Sequence, residues 1–289
     1  MAGAGIKVIN KRIRSVKSTQ QITRAMKMVS ASKLRRSQDR LMAARPYSIK
    51  LRELLQRLAG TGAADHPLFE ERVVGSRLYV VITSDKGLCG GYNMNVMRAA
   101  QKSMDADTAA DVAVQVCAIG RKARDYFTKR GYNVVASHCD FGGQASDDKA
   151  RKVTDFASGL FLTGEVDEVT LAYSEFVSTL TQRPTVSTAL PIAPPASDEQ
   201  DSGPGLDYIW EPDKGTIYAA LLPQYLRNRL YLALCEAYAS EHGARMTSMS
   251  AATQNAGEMI EALTLQRNRE RQAAITQEIS EIVGGAAAL

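Results

Sequence analysis

Helix breakers are missing from long stretches at both ends of this 289-residue chain. Neither Pro nor Gly occurs from Ile6 to Arg45, and no Pro follows Pro223. In a helix interior Pro costs about 3 kcal/mol and Gly about 1 kcal/mol relative to Ala, so a long helix is predicted at each end. In the first, Ile6, Ile9, Ile13 and Val16 step by three and four, and Ile22, Met26 and Val29 resume the pattern. Thr19, Gln20, Thr23 and Lys33 interrupt it, leaving a narrow seam closer to a coiled coil than to the broad face of a globular helix. Pro46 breaks the pattern but Leu51, Leu54, Leu55 and Leu58 restore it, which predicts a kink rather than a stop. Near the other end Met249, Ala252 or Thr253, Ala256, Ile260 and Leu263 recur at the same spacing, followed by Ile275, Ile279 and Ile282. A helix over most of 216–283 would be on the order of 90–100 Å long, more than the width of a compact domain of this size. Its natural partner is the amino-terminal helix, which has the matching seam.

The central part, 75–210, has a different period. A β-rich run over 78–83 precedes a Gly-rich turn and a helix from about Met94. Strands are predicted at 112–119, 133–138, 168–173 and 185–190, with helices at 121–130 and 149–162 between them. That alternation argues for βαβ units on a mostly parallel sheet. A Pro/Gly/Asp-rich loop, 191–207, leads into the last helix.

Composition narrows the function. With 45% hydrophobic residues the chain can bury a core, which excludes wholesale disorder. No apolar run reaches the roughly 18 residues of a membrane-spanning helix. The start, MAGAGIKVINKRI, has neither the apolar region of a secretory signal nor Ser-rich transit character, so a bacterial source is expected. Cys89, Cys117, Cys139 and Cys235 lie far apart without a CxxC, as free thiols in a reducing compartment would. The net charge of +5 conceals an asymmetry: +13 over 1–57, −7 over 58–223 and −1 over 224–289. A basic first fifth on an otherwise acidic chain implies an acidic partner.

Catalytic and cofactor motifs are weak. Ser84-Asp-Lys-Gly-Leu-Cys-Gly-Gly91 sits between a strand and a helix, where a phosphate cradle would lie. It matches neither GxGxxG nor GxxxxGK[ST], so a tight turn and close packing are the simpler reading. His138 and Cys139 are adjacent on a strand and point to opposite faces, against joint metal ligation. No Ser stands in a GxSxG context. The basic helix lacks the aromatics or the helix-turn-helix of a nucleic-acid reader. A coiled-coil adaptor using the basic helix and a Rossmann-like enzyme using 84–91 remain as alternatives. The end, Ile275-Thr-Gln-Glu-Ile279 through Gly284-Gly285 to Leu289, is rich in small uncharged residues and suits a tip held in an apolar sleeve.

Three stretches carry a resemblance: IKVINKRIRSVKSTQQITRAMKMVSASKLRR at the start, SDKGLCGGYN in the middle, and RNRERQAAITQEISEIVGGAAAL at the end. In order and over the whole chain they resemble the γ subunits of F-type ATP synthases, the central rotor shafts of the F1 sector. In the last stretch Ile275, Thr276, Glu278, Glu281, Gly285 and Ala286 stand at the places of the family's terminal signature.

The resemblance implies an α/β fold class: a long antiparallel coiled coil of the N- and C-terminal helices plus a central Rossmann-like α/β domain, divided as 1–60, 75–210 and 215–289. It implies a non-catalytic subunit without cofactor or metal, working with three α and three β subunits, the ε subunit and the membrane c-ring. No nucleic acid and no direct membrane insertion are expected, and the place is the bacterial inner membrane, peripheral on its cytoplasmic side. Met26 matches a methionine facing an acidic loop of the β subunit, and Arg245 an arginine near that level. Arg271 and Gln272 match a pair at a β-subunit catch loop, and Thr276 and Glu278 match residues tuning coupling there. Tyr208, Trp210 and Glu211 align with the family's foot on the c-ring and ε, Trp210 standing where many relatives carry Tyr. The cysteine-bearing redox insertion of the plant plastid form has no counterpart.

Overall fold

The run Leu78-Tyr-Val-Val-Ile82 shows no polar alternation, the pattern of a strand covered on both faces. In the computed structural model, which describes residues 2–59, 66–139, 141–192, 211 and 213–286, all five of these side chains are fully buried. They belong to β1 (Ser76–Ile82), the middle strand of a five-stranded sheet. The other elements in chain order are α1 (Ala2–Ala59), α2 (Tyr92–Ala109), β2 (Ala113–Ile119), α3 (Arg121–Thr128), β3 (Asn133–His138), α4 (Asp147–Leu162), β4 (Glu168–Phe176), β5 (Gln182–Leu190) and α5 (Lys214–Ala286). Residues fall into two compact units, Ser32–Ala244 and a second of Met1–Ala31 with Arg245–Leu289.

In the larger unit the strand order is β3-β2-β1-β4-β5, parallel except for the antiparallel β4–β5 pair. Five residues join β4 to β5, too few for the crossover that a parallel pair requires. Both strands run longer than their hydrophobic cores suggest. Pro184 is tolerated in β5 because that strand is an edge. Side chains alternate across the sheet, so Leu78, Val80 and Ile82 enter one core while Tyr79 and Val81 enter another. The first core collects Val153 and Phe161 of α4, Leu222, Leu226 and Leu230 of α5, and Leu41, Leu51 and Leu55 of α1. The second collects Val96, Met97, Ala100 and Met104 of α2 with Ala123 and Phe127 of α3. Helix α1 continues through Pro46 because anchors on both sides of it, Leu41 and Leu51, are buried in the first core.

Two polar devices hold α2 and α3 in place. Arg77 of β1 pairs with Asp107 at the end of α2 and, at 2.7 Å, with Glu168 of β4. The Tyr79 hydroxyl joins this group by donating to Asp107 Oδ2, and it also pairs with the Ser103 hydroxyl at 2.8 Å. At the start of α3, Gly120 has φ +94, and a Cβ there would lie 2.4 Å from the Thr83 carbonyl oxygen, so only glycine fits. Thr83 Oγ1 then accepts the Ala123 N–H at 2.9 Å, and Asp85 Oδ1 the Arg121 N–H at 3.1 Å, capping the helix from a neighbouring loop.

Glu236 of α5 titrates abnormally. Burial, reinforced by Glu175 and opposed by Arg45, pushes its carboxyl from an ordinary 4.5 up to about 7. The folded chain therefore keeps a proton that the unfolded chain has released. The stability from this group is full below about pH 4.5 and is lost as pH rises to about 7. Glu236→Gln should melt like the parent in mild acid and at least about 2 °C higher above pH 8. Thermal unfolding followed by circular dichroism at both pH values checks this, and an unchanged or lower melting point in alkali would contradict it.

Candidate functional site

The first 31 residues carry seven cations and no acid. Among the described residues, every ion pair lies outside this stretch. Its partner in the smaller unit is the end of α5, and three contacts fix how the two helices lie. Lys27 Nζ donates to Ser250 Oγ at 3.0 Å, the Thr253 hydroxyl lies 2.8 Å from Thr23 Oγ1, and Gln20 Nε2 donates to the Thr253 carbonyl at 3.4 Å. Farther along, a Cβ on Gly257 would meet Gln20 Nε2 at 3.2 Å. Stepping back along α1 steps forward along α5, so the pair is antiparallel.

The buried stripe of α1 here differs from the apolar pattern. Ile9 and Ile13 are buried as expected, but the stripe continues through Gln20, Thr23 and Ser30, leaving Ile22 and Val29 each 57% exposed. The spacing of three and four is unbroken through those polar positions. Ile22 and Val29 sit a residue off that register, and the rotation of the helix turns them outward. On α5 the matching stripe runs through Met249, Thr253, Ala256, Ile260 and Leu263. Thr23 and Thr253 satisfy their hydroxyls twice over, since Thr23 also donates to the Gln20 carbonyl at 3.0 Å and Thr253 reaches the Met249 carbonyl at 2.7 Å. The Ser30 hydroxyl donates to the Met26 carbonyl at 2.8 Å. Spacing, not hydrophobicity, is what marks these seam positions in the sequence.

Met26 is half-buried on this pair, at the level of Ser250. Beside it a groove of about 410 Å³ is lined by Gln20, Gln21, Arg24, Lys27, Met28 and Thr253. Arg245 is buried, 8% exposed. Arg271, Gln272, Thr276 and Glu278 are all exposed. Arg271 and Glu278, seven residues apart, share one helix face, while Gln272 and Thr276, four apart, share another. This group lies about 30 Å along the pair from the Met26 level at 1.5 Å per residue. From Ile275 onward every described side chain of α5 is exposed, Ile282 by 71% and Val283 by 62%. Glu211, in the larger unit, is exposed; Tyr208 and Trp210 lie outside the described residues.

The Gly-rich loop is tied internally. Ser84 N–H donates to Asn93 Oδ1 at 3.0 Å, and Asn93 Nδ2 to Ser84 Oγ at 2.8 Å. Leu88 (φ 62) and Gly90 (φ 56) turn the chain so that Cys89 and Tyr92 pack on Ala244 of α5. His138 ends β3 and stacks on Phe141 at 5.7 Å, with its pKa lowered by burial and by Lys152. Among the described residues no group of three His, Cys, Asp or Glu could hold a metal ion. None of the described helices is long and apolar enough to cross a membrane.

Comparison with known proteins places this geometry. The sequence profile of a family described as ATP synthase matches residues 5–289. The chain is 50% identical over 288 residues to the ATP synthase γ chain of Desulforamulus reducens, covering 99% of both. It is 48% identical over 287 residues to that of Desulfitobacterium hafniense, again covering 99% of both. Among solved structures it is similar to a chain of the Euglena gracilis mitochondrial ATP synthase (OSCP/F1/c-ring), with TM-score 0.70, 20% identity and coverage of 99% and 95%. It is also similar to a chain of the Tetrahymena thermophila mitochondrial ATP synthase central stalk and c-ring, with TM-score 0.62, 22% identity and coverage of 80% and 99%.

The polar seam has a measurable signature. Thr23→Val removes the hydroxyl contact between the helices while Thr253 keeps the Met249 carbonyl, and should cost about 1 kcal/mol; Thr253→Val added to it should cost less than Thr253→Val alone. Hydrogen exchange of the α1 amides reads both. Additive losses in the double variant would show that the two hydroxyls do not interact.

Proposed function

This chain belongs to the ATP synthase γ-chain family, and on that premise we propose that it is the rotating central shaft of the complex. In this reading it couples proton translocation through the membrane sector to ATP synthesis and hydrolysis at the β-subunit sites. Its partners are three α and three β subunits around the terminal helices, with the ε subunit and the c-ring at the other end. The chain itself is non-catalytic and holds no cofactor. It sits on the cytoplasmic face of a bacterial inner membrane as a peripheral part.

The observation that carries this reading is the two-helix unit of Met1–Ala31 with Arg245–Leu289. Its two strands of helix are chemically unequal: α1 contributes seven cations and no acid, and α5 from Arg245 onward is close to neutral. Such a pair presents a different face to each of three surrounding subunits. Coupling then needs only differential binding, each orientation favouring one conformation of a nucleotide site over the others. Exposed cations attract acidic loops at short range, and salt screening over about 8–10 Å keeps those contacts from locking the shaft. Met26 and Arg245 would meet the β subunit at one level; Arg271, Gln272, Thr276 and Glu278 would do so near the tip. The exposed Ile279, Ile282 and Val283 suit an apolar bearing around that tip. Tyr208, Trp210 and Glu211 would form the foot against the c-ring and ε.

Reconstitution with α and β subunits of a close relative tests the shaft. A stable complex with ATP-driven proton pumping in membranes is expected, and a chain that fails to assemble would refute the reading. Within such a complex, Met26→Lys adds a cation to an already basic surface. It should lower proton pumping several-fold per ATP hydrolysed while leaving assembly intact. Normal pumping in that variant would remove Met26 from the coupling contacts.

A further inference from the structure

Within the Ser32–Ala244 unit, a cleft of about 470 Å³ opens between α1, β4, β5 and α5. That volume lies in the range of small-molecule sites and far exceeds what one or two bound waters fill. Its walls include Arg52 of α1, Tyr173 of β4, Ser187 of β5, and Asn228, Arg229 and Glu236 of α5. The family comparison and the shaft reading give this cleft no role.

Three of its groups have donors that no protein group takes up among the described residues. Asn228 is only 8% exposed, yet among the described residues its side-chain amide makes no hydrogen bond. The polar atoms of that amide are not sealed from solvent, so they face the cleft and can donate to whatever enters it. Arg52 and Arg229, from opposite walls, enter no ion pair or hydrogen bond among the described residues. Each guanidinium offers five N–H donors in a planar fork that matches a tetrahedral oxyanion.

Charge around the cleft is mixed, with arginines outnumbering carboxylates. Arg45 and Arg52 face Glu236 from α1, Tyr173 and Glu175 from β4, and Arg229 from α5. Glu175 is offset by Arg183 of β5 at 3.7 Å. With Glu236 protonated, the cleft holds an excess of positive charge and one carboxylic O–H able to donate. The geometry points to this cleft as a binding site for a small phosphate-class oxyanion, clasped by Arg52 and Arg229, with the Asn228 amide as a further donor. The site is independent of the shaft reading, because it lies on residues that play no part in the proposed coupling contacts. Ionisation of Glu236 removes the O–H and sets a negative charge against the ligand, so occupancy falls as pH rises through about 7.

Isothermal titration calorimetry of the full chain tests this, with inorganic phosphate, ADP and sulfate as probes. Phosphate should bind at one saturable site, with about tenfold weaker affinity in Arg229→Ala and Arg52→Ala and no change in Lys11→Ala. Arg229→Lys, which keeps the charge but loses the fork, should also weaken binding, and unaltered circular dichroism of these variants excludes misfolding. Sulfate, whose own charge is constant near neutrality, should bind more weakly on the alkaline side of pH 7 in the parent and equally on both sides in Glu236→Gln. Tighter binding of ADP than of phosphate would identify a nucleotide as the source of the anion, and equal binding a free anion. Absence of saturable binding, or an equal loss in Lys11→Ala, would overturn the proposal.

Discussion

Where two helices have only each other to pack against, the chemistry of one narrow stripe decides everything about them. In the smaller unit that stripe is mixed: Gln20, Thr23 and Ser30 follow Ile9 and Ile13 on α1, and Thr253 stands among Met249, Ala256 and Ile260 on α5. Polar seams contribute less burial energy than leucine seams and specify alignment more sharply, because hydroxyls and amides are satisfied in few registers. The Thr23–Thr253 and Lys27–Ser250 contacts are such markers of register. At Gly257 the absent side chain leaves room for the Gln20 amide, which a Cβ would meet at 3.2 Å.

The larger unit works by the opposite means. Its sheet is buried on both faces, and α1 and α5 contribute leucines to the more extensive of the two cores. There Leu41, Leu51 and Leu55 on one helix and Leu222, Leu226 and Leu230 on the other are anchored by area rather than by direction. The same two helices thus change their mode of packing along their length, from apolar burial in one unit to hydrogen-bonded alignment in the other.

Much of this was legible in the sequence, and the parts that were not share a cause. Absence of breakers foretold both long helices, and strand alternation with helical segments foretold the α/β sheet, because each signal is local. Register is not local. The apolar residues Ile22 and Val29 looked like seam members, yet the helix turns them to solvent in favour of Gln20 and Ser30, a choice made by the partner helix. The antiparallel β5 was hidden because direction depends on which neighbour a strand finds, though the short link from β4 carried a hint. The coupling and foot residues rest on resemblance: Arg271, Gln272, Thr276 and Glu278 carry no internal partner that would single them out, since contacts with other subunits leave no mark on an isolated chain. The cleft at Asn228 had no sequence signature at all, because its walls come from four separated elements.

The tip of α5 also bears on how such a subunit is made. Its last dozen residues, from Ile275, extend α5 with every described side chain exposed, so the helix there is held by propagation from the turns before it rather than by packing. Its exposed isoleucines are adhesive to any other apolar surface nearby. A cell that produced this chain in excess of its partners would accumulate a sticky protein, so balanced synthesis and prompt capture are as much a requirement of the sequence as the fold itself.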